Sequence, residues 1–489
     1  MSKLISTARL EGLARGLWRL LLLSLPITSF RYFPAVMGAT QHQPLALYFL
    51  ALFLPLSLWL VWRRGGLRLP RPAVPLLAFV LFALAASLIA VLYMPLPLRG
   101  AEVEGRILRG WVSFGLGLAF LAGATLGSQL EGDLRPSLRW LYAGLAATIL
   151  WGLVQAAAIH TPFVSHDWVD EIQLSFSLRR LLDRRISGFA YEPSWLADQI
   201  VLLYLPWLAA AVLRREPATR FRWLEPGLLA GGVVLVLLSY SRSGLLTGLA
   251  AIAGGLLLTG GPALRRVAGW FSQPFQRPGA SERGLRLGVL MLLVAALGVS
   301  VFWLAQNRYI TRLVQFNTEL SLNQYLINIG GGPRVAAAIA AFGTFDEHPL
   351  TGVGLGASGL YLMNHYPDWV MTNVQEVARL FAPDSPVIPN PKNLYTRLLA
   401  ETGLPGLWLW LAFMLAVLSQ VRALLRRPES AARFVGTAGI FFWLALMLRN
   451  ITQDSLTFPI MWVNLGLLFG AALRLENEPL EKTINEGRG

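Results

Sequence analysis

Residues 44–62 read PLALYFLALFLPLSLWLVW and run straight into Arg63 and Arg64. The stretch carries no charge. As a helix it extends about 29 Å at 1.5 Å per residue, against a bilayer hydrocarbon core of about 30 Å. After Arg68 and Arg71 the pattern repeats in residues 72–93, PAVPLLAFVLFALAASLIAVLY. Two uncharged runs joined by a short basic segment read as two transmembrane helices with a cytoplasmic connection. This reading sets the fold class: an all-α polytopic membrane protein.

The composition agrees. The chain has 489 residues, 55% of them hydrophobic and 14% charged, with a mean hydropathy of +0.53. Soluble proteins carry about 25% charged residues, so a soluble multidomain enzyme is excluded. Disorder is excluded because it needs low hydrophobicity. There is no cysteine, hence no disulfide and no thiolate chemistry. The net charge of +15 belongs to cytoplasmic loops and does not point to nucleic acid.

Twelve apolar runs can cross a bilayer: about 17–37, 44–62, 72–93, 110–128, 138–158, 190–213, 225–240, 243–261, 287–305, 394–420, 434–449 and 456–473. Arginines gather after the even-numbered runs. Arg214, Arg215, Arg220 and Arg222 follow the sixth, Arg265, Arg266, Arg277 and Arg283 the eighth, and Arg422, Arg426, Arg427 and Arg433 the tenth. One membrane side collects them, and the positive-inside rule makes it cytoplasmic, with both termini inside. The chain reads as a single integral membrane domain over 1–489. Two loops face outward, about 159–189 and 306–393. The larger one holds Gly330-Gly331-Gly332-Pro333, a short helix near 334–345, and a proline-rich piece from Pro383 to Pro391. Loops of this length tend to carry function.

Several basic residues oppose the charge bias. Arg179, Arg180, Arg184 and Arg185 precede the sixth span, Arg242 separates the seventh and eighth, and Arg334 stands in the large loop. Arg308, Arg312, Arg397 and Arg449 also fall on or near the outer side. Guanidinium forks bind phosphate oxygens bidentately, so the group points to an anionic substrate; the bland alternative for any one of them is snorkelling or pairing with an acid. Arg242 lies in Ser239-Tyr240-Ser241-Arg242-Ser243-Gly244, too short for a loop, and an arginine between two membrane helices must be paired or face a polar cavity.

Glu192, in Tyr191-Glu192-Pro193-Ser194, sits where a helix begins. It can act as general base, bind a hydroxyl, or cap the helix and pair with Arg185. Lysine is scarce, at Lys3, Lys392 and Lys482 only, and Lys392 precedes Asn393, Leu394 and Tyr395 at the tenth span. Glu401 lies further along and can pair with Arg397 on the same helix face. No Asp-x-Asp pair, P-loop or His-Glu-x-x-His helix occurs, and the five histidines lack strong metal-ligand spacing. No cofactor or metal is expected.

Three segments together resemble the superfamily of bacterial O-antigen polymerases and O-antigen ligases. They are Arg185-Ile186-Ser187-Gly188-Phe189-Ala190-Tyr191-Glu192-Pro193-Ser194, Ser241-Arg242-Ser243-Gly244, and Arg334 followed by His348-Pro349-Leu350-Thr351-Gly352-Val353-Gly354-Leu355-Gly356. Asn393 to Gly406 completes the set, which covers roughly 185–406. The resemblance implies a glycan donor on polyprenyl (undecaprenyl) pyrophosphate, an acceptor that is another glycan or lipid A–core, contact with membrane lipids, and a possible chain-length regulator as partner. It implies a site on the periplasmic side of the inner membrane. Ligases of the superfamily share a His-Asn-x9-Gly-x-x-Gly pattern. Here Asn393, Gly403 and Gly406 match, but Lys392 takes the histidine position. Lysine is a poor base and a good pyrophosphate ligand, which favours polymerase over ligase. On this reading Arg185, Arg242, Arg334 and Glu192 are catalytic, and Lys392, Asn393, Tyr395, Arg184, Tyr191 and Ser241 bind substrate. A flippase or other transporter is the competing class, since it too can have twelve spans.

Overall fold

A computed structural model describes residues 7–33, 41–63, 68–93, 95–261 and 330–486, with scattered positions between 264 and 327 and no side chains beyond 476. Most of the expected ninth span at 287–305 and of the start of the large loop, with Arg308, Arg312, Arg277, Arg283 and Arg64, lies outside the described residues.

The described chain is helical. In order, the helices are α1 (Thr7–Ser24), α2 (Ala46–Arg63), α3 (Ala73–Val91), α4 (Val103–Leu130), α5 (Leu134–His160), α6 (His166–Phe176), α7 (Pro193–Arg214), α8 (Leu224–Leu238), α9 (Arg242–Thr259), α10 (Gly332–Glu347), α11 (Trp369–Asn373), α12 (Gln375–Ala378), α13 (Leu394–Arg426), α14 (Ser430–Arg449) and α15 (Pro459–Glu486). Among the described residues, α2, α3, α4, α5, α7, α9, α13 and α14 are long and apolar enough to cross a membrane. The fold is therefore an all-α polytopic membrane protein, as the apolar runs predict.

Two boundaries differ from the sequence expectation. The first run, 17–37, is helical only to Ser24, and α1 starts at Thr7. Pro26 disfavours helical backbone at the residue before it; within α1, Arg19 is neutralised by Glu131 at 2.7 Å. The seventh run forms α8, whose 15 residues reach about 22 Å, short of the bilayer core. The short helix expected near 334–345 is present as α10.

Helix packing relies on small residues that let backbones approach. Gly466 and Gly470 of α15, four residues apart, lie against Ala124, Thr125 and Ser128 of α4; a Cβ at Gly466 would stand 2.4 Å from the Ala124 Cβ. One end of the bundle is basic. There Arg135 reaches Glu216 at 3.5 Å, Arg139 donates to the Ala218 carbonyl at 2.6 Å, and Arg214 donates to Thr437 Oγ1 at 2.8 Å. The other end gathers the C-termini of α1, α5, α8 and α14 and the N-termini of α7, α9 and α13.

His42 belongs to that second end, with its ring centroid 5.4 Å from Trp195 and 4.9 Å from Phe458. Burial pushes its imidazole down to about 4, opposed by a backbone hydrogen bond at Thr457. The unfolded chain binds this proton near pH 6.5. Between pH 6.5 and 4 the unfolded state therefore holds more protons. Acidification through that window should cost up to about 3 kcal/mol of stability. Thermal melts in detergent at stepped pH should show the slope, and His42→Phe should flatten it.

Candidate functional site

The candidate site lies at the second end of the bundle, where four helices begin. Glu192 is the N-cap of α7, with Pro193 at the first helical position. Ser241 is the N-cap of α9, its hydroxyl accepting from the Gly244 N–H at 3.3 Å. Asn393 caps α13 by accepting from the Tyr395 and Thr396 N–H groups at 2.9 and 3.2 Å. Gly331 precedes α10, with Pro333 in its first turn. The caps account for Ser241 and Asn393, whose side chains satisfy orphan donors of a first turn; the Glu192 side chain makes no such bond.

The cations stand where helix dipoles repel them. Arg242 is the first residue of α9, Arg334 lies in the first turn of α10, and Lys392 directly precedes the α13 cap. A positive charge near a helix N-terminus is unfavourable, whereas an anion there is favoured by about 0.3–1 kcal/mol. Tertiary structure adds these ends together. A Cβ on Gly330, whose φ is +73°, would lie 2.9 Å from Arg242 Nη2, so the Arg242 guanidinium sits against the residues leading into α10. Arg334 is open to solvent at its surface yet crowded by protein. That desolvation, with Arg449 and Arg242 close by, lowers its guanidinium from the ordinary value, while Glu376 and Asp198 push it back up. Lys392 Nζ is ion-paired to Glu376 of α12. Its backbone, in the left-handed region at φ +56°, donates to Asp454 Oδ2 at 3.1 Å.

Arg185 is turned to a different task. Its Nε donates to the Ser239 carbonyl at 2.8 Å and its Nη2 lies 3.5 Å from the Tyr240 carbonyl. It thus holds the tight turn that leads into Arg242; Tyr240 there has φ +49°. Glu192 pairs with Arg179 at 3.2 Å, not with Arg185, and accepts from Ser194 Oγ at 3.1 Å. Arg179 also lies over the Tyr191 ring at 5.0 Å. Arg184 is exposed. The Tyr395 hydroxyl donates to the Met447 carbonyl at 2.8 Å.

The glycine-rich segment 348–356 is a wedge between helices. The Val353 and Gly354 N–H groups donate to the Ala400 and Glu401 carbonyls, each at 2.9 Å, and Leu404 N–H donates to the Pro349 carbonyl at 2.9 Å. Gly352, Gly354 and Gly356 have φ of +63°, +86° and +92°. Gly356 meets the backbone of α4 at Arg106 and Gly110, and α13 breaks at Gly403 to receive Leu350. The segment continues directly from α10, so this wedge fixes the far end of the helix that carries Arg334. Glu401 is buried beside it, accepting from Arg397 Nε at 3.0 Å, as its spacing predicts, and from Ser358 Oγ at 2.8 Å.

Some contributing residues escape the sequence reading. Gln155 of α5 is fully buried; its Oε1 accepts from the Ser187 and Gly188 N–H groups at 3.1 and 2.8 Å, and its Nε2 donates to the Gly188 carbonyl at 3.0 Å. This clamp holds the turn that follows Arg185. Gln155→Leu should strand these backbone groups and cost about 3 kcal/mol, seen as a lower melting temperature in detergent. Asp198, Glu376, Thr452 and Asp454 also escape the sequence reading. For Asp198 a signal existed, since it is a lone carboxylate inside an apolar run. Among the described residues no three His, Asp or Glu side chains gather in a metal-binding arrangement.

Residues 227–411, from α8 into α13, match the family model described as O-antigen ligase. The match spans Arg242, Arg334, Lys392, Asn393 and the glycine wedge, and bears out the resemblance to the O-antigen polymerase and ligase superfamily. A comparison with curated proteins finds no match.

Proposed function

We propose that the protein polymerises lipid-linked oligosaccharide repeat units at the periplasmic face of a bacterial inner membrane, with both termini cytoplasmic. It takes a glycan from polyprenyl pyrophosphate and joins it to an acceptor sugar hydroxyl without a metal. The observation that carries this reading is that Arg242 and Arg334, each in the first turn of its own helix, lie close together, with Lys392 linked to Arg334 through Glu376; helix N-termini and guanidinium groups both favour an anion.

In this mechanism the acceptor hydroxyl oxygen attacks the anomeric carbon of the donor. The bond from that carbon to the pyrophosphate oxygen breaks, and its electron pair leaves with the pyrophosphate. Arg242 and Arg334 stabilise the charge that develops there, with Lys392 assisting. Glu192 takes the hydroxyl proton, and Tyr191 and Arg184 line the approach beside it. Arg185, Ser241, Asn393 and Tyr395 act through the turns and caps that they hold. Apolar grooves between the helices accommodate the polyprenyl chain.

The family description favours a second reading, ligation of the glycan to lipid A–core, in which Lys392 stands where ligases have histidine. Reconstitution in liposomes with the host's lipid-linked repeat unit separates them. A ladder of lengths supports the polymerase. Transfer that requires added lipid A–core identifies a ligase, and no transfer to either acceptor moves the assignment to a transporter.

A further inference from the structure

Asp198 and Arg449 form a buried pair at the edge of the site. Asp198 lies just inside α7, and Arg449 is the last residue of α14. Both side chains are 5% exposed, and Arg449 Nε lies 2.5 Å from Asp198 Oδ1. Arg449 Nη2 donates to Asp198 Oδ2 at 2.7 Å. The remaining nitrogen, Nη1, turns to Thr452 and reaches its carbonyl at 3.4 Å. All three guanidinium nitrogens thus face protein, and Arg449 has no surface left for a substrate.

The Thr452 carbonyl is shared. Arg334 Nε also points at it, at 3.4 Å. The same turn receives the start of α13, whose Leu394 N–H donates to the Asn450 carbonyl at 2.8 Å. One short turn, 449–452, therefore touches both the arginine of α10 and the helix start beside Lys392. A π-helical turn over Gln199–Tyr204 directly follows Asp198. It inserts a residue and so rotates Asp198 by about 100° relative to the rest of α7; such turns are frequent at functional sites. Asn464 of α15 supports it by donating to the Leu202 carbonyl at 2.5 Å.

A buried ion pair is a weak stabiliser, because desolvation offsets most of its attraction. Its persistence here suits a geometric task. We propose that Asp198 and Arg449 are positioning residues for the reaction: they fix the 449–452 turn, which aims Arg334 and the start of α13 at the donor pyrophosphate. This inference rests on the reading of Arg334 given above.

The test uses the full-length protein in liposomes with the host's lipid-linked repeat unit. Five proteins are compared: wild type, Arg334→Ala, Arg449→Lys, the double variant Asp198→Leu with Arg449→Met, and that double variant with Arg334→Ala added. The double variant removes both charges of the pair together, and such apolar replacements are often neutral or stabilising. It should melt like wild type yet transfer glycan about 100-fold more slowly, the scale of a misplaced catalytic group. Adding Arg334→Ala to it should cost little more, since both changes remove one function. Wild-type transfer from the folded double variant, or full additivity with Arg334→Ala, overturns the proposal. Arg449→Lys keeps the charge beside Asp198 but loses the reach to Thr452, and should also be slow. If the double variant does not fold, Arg449→Lys decides: wild-type transfer from it overturns the proposal. Wild-type transfer from Arg334→Ala would instead overturn the reading of the site itself.

Discussion

Arg334→Ala should lower glycan transfer about 100- to 1,000-fold, the loss that follows removal of one preorganised donor to a developing negative charge. Folding should be untouched, because Arg334 is exposed on the first turn of α10 and alanine is the better helix former. Removing a cation from a helix N-terminus can even raise the melting temperature slightly. Stability gained while activity is lost is the signature of a residue kept for a ligand. Arg334→Lys should recover part of the rate, since it restores charge without the bidentate fork. Transfer assays with purified variants, alongside detergent melts, check both statements. A normal polymer ladder from Arg334→Ala would remove the pyrophosphate site from this end of the bundle.

Gly352→Ala should be strongly destabilising, because crowding and backbone strain act there together. The new Cβ would lie 2.4 Å from the Glu401 carbonyl carbon and 2.5 Å from the Thr402 nitrogen. Both are backbone atoms of a packed helix, so neither can swing aside. The φ of +63° adds conformational strain. Overpacking and strain cost about 1–3 kcal/mol each, so a loss of about 3–5 kcal/mol is expected. Gly100→Ala is the control. Gly100 has a similar φ of +73° but nothing within 4 Å of its Cβ position, so that variant should lose only the strain. Equal melting temperatures for the two variants would show that the wedge between α4 and α13 is loose. A large difference would show that Gly352 serves the close approach of backbones.

The sequence by itself determined the membrane fold. Uncharged runs about 20 residues long have one stable form in a bilayer, because each helix satisfies its own backbone groups. Arginine placement gave the alternation of sides by the same local logic. The outlying charges Arg242, Arg334 and Lys392 were legible for a related reason: they stand out against an apolar background or an opposite charge bias. The Arg397–Glu401 pair was legible because a helix brings residues four apart onto one face.

What each outlying group touches was decided only by the tertiary structure. Arg185 and Glu192 lie seven residues apart in one motif, yet one binds the α8–α9 turn and the other binds Arg179. Asp198 and Arg449 are 251 residues apart, and no periodicity connects them. Gln155 looks like any polar residue near a helix end until the turn at Ser187 and Gly188 is folded onto it. Hydropathy and helical period are properties of neighbouring residues, so they are written along the chain. The approach of Arg242 to Arg334, and the Glu376 that faces both Arg334 and Lys392, depend on which helices pack together, and long-range packing alone supplies that.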